Sequence, residues 1–270
     1  MRHDPSRPAL LLLALLLLMA AEARAQIPFY TDDADTTERG KVHVEFFNEH
    51  DVLQKSAYPA KRQNTANVTL NYGLTERVEF DVNFPVLTIV NAKTALQGTV
   101  AGVGDTQFGV KYRFIDEREG SRLPAMAVVF YVEAPTGDSA RQLGSGLTDY
   151  WLYGVAQKSL TKRTKGRLNG GVLFLGNSST GLIGVSTTKG QVFTGNGSLV
   201  RDFNDKLKLG VELFGAVTNN FQLSKGQLTA QVGGDYTLSE KLTLTFGVLG
   251  GRFAASPRAG FHLGFAYDFK

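Results

Sequence analysis

"VEFDVNFPV", residues 78–86, alternates without a slip. Val78, Phe80, Val82, Phe84 and Val86 fall on one face, and Glu79, Asp81 and Asn83 on the other. A period of two over this length is the mark of a β-strand whose faces meet different surroundings. The apolar face is the more aromatic one, and the polar face carries full charges.

The same scheme recurs outward from this stretch. "TQFGVKYRF" sets Phe108, Val110, Tyr112 and Phe114 against Gln107, Gly109, Lys111 and Arg113. "LKLGVEL" sets Leu207, Leu209, Val211 and Leu213 against Lys208, Gly210 and Glu212, and "FHLGFAYDF" sets Phe261, Leu263, Phe265, Tyr267 and Phe269 against His262, Gly264, Ala266 and Asp268. Twelve runs of this kind are predicted, over 40–49, 64–73, 78–87, 105–114, 124–134, 148–158, 166–175, 190–200, 206–216, 227–236, 241–250 and 258–269. Most are near ten residues long, and a tilted membrane strand needs about 9–11. Their number is even, as in single-chain bacterial barrels. Residues 190–200 fit either face, residues 166–175 are Gly-rich and weakly phased, and Lys158 falls on an apolar face near a strand end.

Between the runs the connections alternate in length. Short ones near 74–77, 202–205 and 237–240 reuse one turn: "GLTER", "FNDK" and "LSEK" each follow an apolar residue with Thr, Ser or Asn and then charges. Those side chains bond nearby backbone groups and suit tight turns. Longer connections lie at 50–63, 88–104, 135–147, 176–189, 217–226 and 251–257. Short periplasmic turns and long outer loops are the asymmetry of outer-membrane barrels.

Composition agrees with export to a bacterial envelope. Arg2 and Arg7, an apolar run from Ala9 to Ala21 and "ARA" ending at Ala25 read as a secretory signal in residues 1–25, cleaved after Ala25. No later stretch is apolar for long enough to span a bilayer as a helix. The chain has no cysteine, so neither disulfides nor thiol chemistry is available. A net charge of +4 without clustering gives no footprint for nucleic acid, and none is expected as a partner. Residues 26–39, "QIPFYTDDADTTER", look irregular and are expected to form a periplasmic or plug-like segment ahead of a barrel over 40–270.

The expected fold is thus all-β, a single up-and-down antiparallel transmembrane barrel of about twelve strands. A soluble sandwich with its polar face outward alternates too, and stays open as the alternative. Its strands would average 5–6 residues, shorter than these.

Several segments together resemble a known family. "PFYTDDADT", "GVGDTQFGVKYRF", "LPAMAVVFYVEAPTGD" and "LGSGLTDYWLYGVAQKSL" are similar to the outer-membrane family named for the MetA pathway of phenol degradation. Its members are described as transporters. The resemblance implies an outer-membrane barrel and passage of aromatic compounds, with no site residues. One departure is that Lys270 follows Phe269, where such barrels commonly finish on an aromatic residue read by the barrel assembly machinery.

The polar face supplies the candidates for a lumen lining. Glu45, Glu79, Asp81, Glu133 and Glu212 are its acids, with Asp105, Asp149, Asp235 and Asp268; Lys111, Arg113 and Lys208 are its bases, with His43 and His262. Phe47, Tyr131, Trp151, Tyr153 and Phe214 share that face and suit a greasy path for an apolar or aromatic solute. A charge network that fills the barrel, or an interfacial aromatic girdle, uses the same residues. The expected partners are outer-membrane lipid, a small apolar or aromatic solute and the assembly machinery. The expected function is a channel, with an occluded structural barrel as the alternative.

An enzyme is the third class. A twelve-stranded outer-membrane phospholipase would need a serine beside a histidine. His43 and His262 have no serine in register, and no G-x-S-x-G occurs. If the first and last strands close the barrel, His262 falls near Phe47 and Glu49. The row His43, Glu45, Glu49 and the run "TDDAD" at 31–35 carry metal-capable atoms without a metal-site spacing. No cofactor and no metal is expected.

Overall fold

The computed structural model describes residues 28–91, 98–174, 191–218 and 226–269. The signal and its cleavage site, residues 26–27, most of the connections at 176–189 and 217–226, and Lys270 lie outside the described residues.

Thirteen strands form one sheet: β1 (Val42–Val52), β2 (Ala60–Gly73), β3 (Val78–Asn91), β4 (Val100–Val103), β5 (Thr106–Ile115), β6 (Ala125–Ala134), β7 (Asp149–Thr161), β8 (Thr164–Phe174), β9 (Gln191–Asp202), β10 (Leu207–Thr218), β11 (Gln227–Thr237), β12 (Leu242–Gly251) and β13 (Ala259–Phe269). Each pairs antiparallel with its sequence neighbour, save that β4 and β5 both lie against β3. The last strand returns to the first, Val42 opposite Phe269 through Val52 opposite Ala259, so the sheet closes. Closure gives every strand but β4, which pairs with β3 alone, two neighbours to satisfy its backbone groups.

β4 and β5 share one position in the barrel. β5 faces β3 up to Asn83, and β4 takes over from Val86. Pro85 stands at the break. Its carbonyl accepts from Gly104 N at 2.9 Å, so its missing N–H faces that same neighbour and the ladder is interrupted there. The barrel has twelve strand positions, and the predicted fourth run is extended by β4. Residues 88–104 were expected to be a loop, and in part they are strand: β3 runs on to Asn91 and returns as β4. The inward side chains Leu87 and Ile89 are apolar, which hid the continuation from a polar-in pattern.

The faces are inverted relative to a soluble protein. Phe80, Val110, Val211, Leu213 and Leu263 are exposed on the outside, while Glu79, Asp81, Lys111, Gln231 and Thr245 are buried within. A contiguous apolar surface around the whole cylinder far exceeds the patches soluble monomers show, and it fits lipid. The ambiguous run resolves with Val192, Ser198 and Val200 buried and Phe193 and Leu199 exposed. Lys158 is satisfied at its strand end: Nζ lies 2.5 Å from Glu117 Oε1 and donates to Ser121 O at 2.6 Å. Three connections, after β2, β9 and β11, are four-residue turns, and the one after β7 has two residues. They share an end with the start of β1 and the end of β13.

Candidate functional site

The segment ahead of β1 runs inside the barrel. It enters at the short-turn end, where Gly40 N donates to Gly73 O at 2.7 Å and Arg39 bridges Gly73. Its first described residue, Pro28, accepts from the Gln231 side chain near the middle of β11. Thr31, Asp33 and Ala34 are buried. An irregular chain here carries backbone groups that neither helix nor ladder satisfies, so the wall must satisfy them.

It does so with charge. Glu212 accepts from Tyr30 N at 3.0 Å and from Thr31, and Glu79 accepts from Thr37 N. Lys111 Nζ donates to Asp32 Oδ1 at 2.8 Å and to Asp35 O at 3.3 Å, and lies 3.5 Å from Glu79. Arg167 reaches Asp33 at 3.1 Å and Arg113 reaches Asp35 at 3.6 Å. Tyr153 OH donates to Asp32 Oδ2 at 3.1 Å, and Gln157 to Asp35 Oδ2 at 3.2 Å. The acids of "TDDAD" are thus matched to four cations of the wall, the fourth being Lys165 at 3.9 Å from Asp35. Burial pushes the Asp32 carboxyl above the usual carboxylate range, against the pull of Lys111.

Two glycines of the polar face make room. A Cβ on Gly210 would stand 2.6 Å from Leu199 O and 2.7 Å from Phe29 Cζ. A Cβ on Gly109 would run into the Tyr131 ring. The phenyl ring of Phe29 and the phenol of Tyr131 therefore occupy what would be side-chain space.

Between this segment and the long-loop end lies a cavity of about 380 Å³. Pro28, Phe29, Tyr30 and Asp32 form its floor, and its wall includes Phe47, Tyr131, Trp151, Tyr153 and Phe214 with Glu45, Glu49, Glu133, Asp149 and His262. Tyr30 packs on Phe214 at 4.7 Å between centroids, and Tyr131 stacks on Tyr153 at 6.3 Å. Tyr30 OH donates to Glu49 Oε2 at 2.5 Å. Trp151 Nε1 has no hydrogen-bond partner.

At its long-loop end the barrel is narrowed from within. Leu53, Ala57, Ala60, Leu87, Ile89, Val100 and Leu143 form a buried apolar cluster. Asp105 holds residues 135–148 over it, accepting from Gly137 N at 2.9 Å and Ser145 N at 2.6 Å, while Thr136 Oγ1 donates to Gly104 O at 2.8 Å. The "GVGD" and "PTGD" segments, far apart in sequence, meet here.

Of the candidates read from sequence, Glu45, Phe47, Tyr131, Glu133, Trp151, Tyr153 and His262 line the cavity. Glu79, Lys111, Arg113 and Glu212 hold the inserted segment instead. Asp81 accepts from Tyr131 OH at 3.1 Å, and Lys208 stands between Asp202 and Asp235 on the adjacent strands. His262 lies 3.5 Å from Glu49 and edge-on to Phe47, and His43 lies 2.6 Å from Asp268 and 3.1 Å from Glu45. Both histidines turn to carboxylates. Among the described residues no group of three or more His, Cys, Asp and Glu is arranged to hold a metal ion. Arg167, Gln157 and Gln231 were missed. Arg167 sits in the Gly-rich run, and only its register opposite Gln157 places it in the lumen.

Comparisons with known proteins agree with this architecture. The sequence pattern of the family described as "Putative MetA-pathway of phenol degradation" matches residues 30–269. Among solved structures, an outer membrane channel from Pseudomonas putida F1 superposes with a TM-score of 0.65 at 16% identity, over 88% of this chain and 98% of that one. The NanC porin gives 0.54 at 10% identity, over 84% and 98%. The KdgM porin gives 0.52 at 12% identity, over 84% and 99%.

Proposed function

We propose, from the premise that this chain belongs to the family named for the MetA pathway of phenol degradation, that it is an outer-membrane channel for small apolar or aromatic solutes. The observation that carries this reading is the aromatic-walled cavity of about 380 Å³, open to no core of its own and floored by a segment the barrel grips through side chains. A structural barrel needs its lumen filled; here the filling stops halfway and leaves a chamber of solute size. The long-loop end faces outside and the short-turn end faces the periplasm.

On this reading residues 28–39, held to the wall by Lys111, Arg167 and Glu212, act as the plug of the lumen. Solute enters the chamber from the long-loop end, and passage to the periplasm needs the segment to shift from Lys111, Arg167 and Glu212.

Liposome swelling with refolded protein tests the reading. An aryl glucoside should enter faster than a disaccharide of similar size. Entry of neither solute would overturn the channel and favour the occluded structural barrel.

A further inference from the structure

The chamber's wall is one-sided in charge. Six carboxylates line it, those of Asp32, Glu45, Glu49, Asp105, Glu133 and Asp149, and among the described residues that line it none is Lys or Arg. Lys111, Arg113, Lys165 and Arg167 engage Asp32, Asp33 and Asp35 of the inserted segment. The lumen's bases thus gather near the periplasmic end, where acids such as Glu79 and Glu212 accompany them, and the described lining of the chamber carries acids without Lys or Arg.

The acids also have a set position relative to the rings. Glu133 is directly opposite Asp149 across the β6–β7 ladder, and Tyr131 is directly opposite Trp151, two residues along on the same face. Gln107 stands opposite Glu133 on β5, and its Nε2 donates to Glu133 Oε2 at 2.6 Å. Like charges facing each other across a ladder repel. Across the chamber His262, 3% exposed, faces Glu49 through Nδ1 and leaves Nε2 without a hydrogen-bond partner.

We infer that the chamber selects organic cations with an apolar or aromatic body, such as aryl-alkyl ammonium compounds, and turns away aromatic carboxylates. Rings of Asp and Glu set cation preference in narrow passages. Aromatic faces add a direct attraction for ammonium groups, strongest where water is scarce. The apolar body is taken by Phe47, Trp151 and Phe214, and the charge by Glu133 and Asp149. An aromatic acid fits the same space but meets only like charge in a low-dielectric cavity. This inference rests on the channel reading for its physiological meaning, but the selectivity belongs to the chamber itself.

The chain's one tryptophan is Trp151, in the chamber wall, so intrinsic fluorescence reports occupancy there. The detergent-folded full chain would be titrated with benzyltrimethylammonium chloride, benzyl alcohol and sodium benzoate at one ionic strength. Benzyltrimethylammonium should half-saturate the change at a concentration at least about ten-fold below that for benzoate. E133Q, and E133Q with D149N, should weaken the cation's binding several-fold and leave benzyl alcohol unchanged; gel mobility before and after heating checks that each variant is folded. Benzoate binding as tightly as the cation, or no response to any of the three, would overturn the inference. Cation binding without solute flux in liposomes would sink the channel reading and leave the chamber's preference standing.

Discussion

Lys111 ties the inserted segment to the barrel wall. It is 1% exposed, lies between Asp32, Glu79 and the Asp35 carbonyl, and belongs to a strand whose other face meets lipid. Replacing it with methionine leaves two buried carboxylates without their cation. Breaking a buried pair from one side costs about 3–5 kcal/mol. Lys111→Met should therefore lower the urea midpoint of the barrel and raise ion conductance in planar bilayers as the segment loosens. An outward position gives a different signature. Val211→Arg puts a charge into the hydrocarbon layer and should cost about 2–4 kcal/mol. Asn67→Ser, on the cavity wall, should leave the urea midpoint almost unchanged. Equal losses from Val211→Arg and Asn67→Ser would mean that the two faces are assigned the wrong way round.

Among the elements, the inserted segment and the loop over 135–148 depend on different chemistry. The segment is held by charge, so changing Asp32, Asp33 and Asp35 together to Asn should free it and leave Lys111, Arg113, Lys165 and Arg167 facing an open lumen. Conductance should rise, and the barrel should lose cation preference. The loop is held by one carboxylate accepting two backbone N–H groups and by the apolar cluster under Leu143. Asp105→Ala should make residues 135–148 the first site of limited proteolysis while the barrel stays intact. Strands and turns were legible because their period and turn chemistry are local: Val78 to Val86 announces its faces without reference to anything else. The destination of residues 28–39 was legible only as a possibility. "TDDAD" shows acids, but that they meet Lys111, Arg113 and Arg167 depends on closure of the barrel. β4 escaped because Leu87, Ile89 and Val100 point inward where polar residues were expected, and Arg167 because glycines blur the phase of its strand.

At the scale of the whole molecule the barrel is a closed wall with its own N-terminal segment as the floor of an aromatic chamber. On the channel reading proposed above, transport requires that floor to move, and the chain offers a clean way to stop it. There is no cysteine in the sequence. Ala34 of the segment packs in a cluster with Ala127 of β6. Ala34→Cys with Ala127→Cys gives a pair that a disulfide would tie, fastening the segment to the wall. Flux of an aryl glucoside into liposomes, measured with the pair oxidised and then reduced, is the most direct test. The account predicts flux near zero while the tie is closed and recovery to the level of the unmodified protein on reduction. Unchanged flux, with the disulfide shown to have formed by its gel shift, would contradict it.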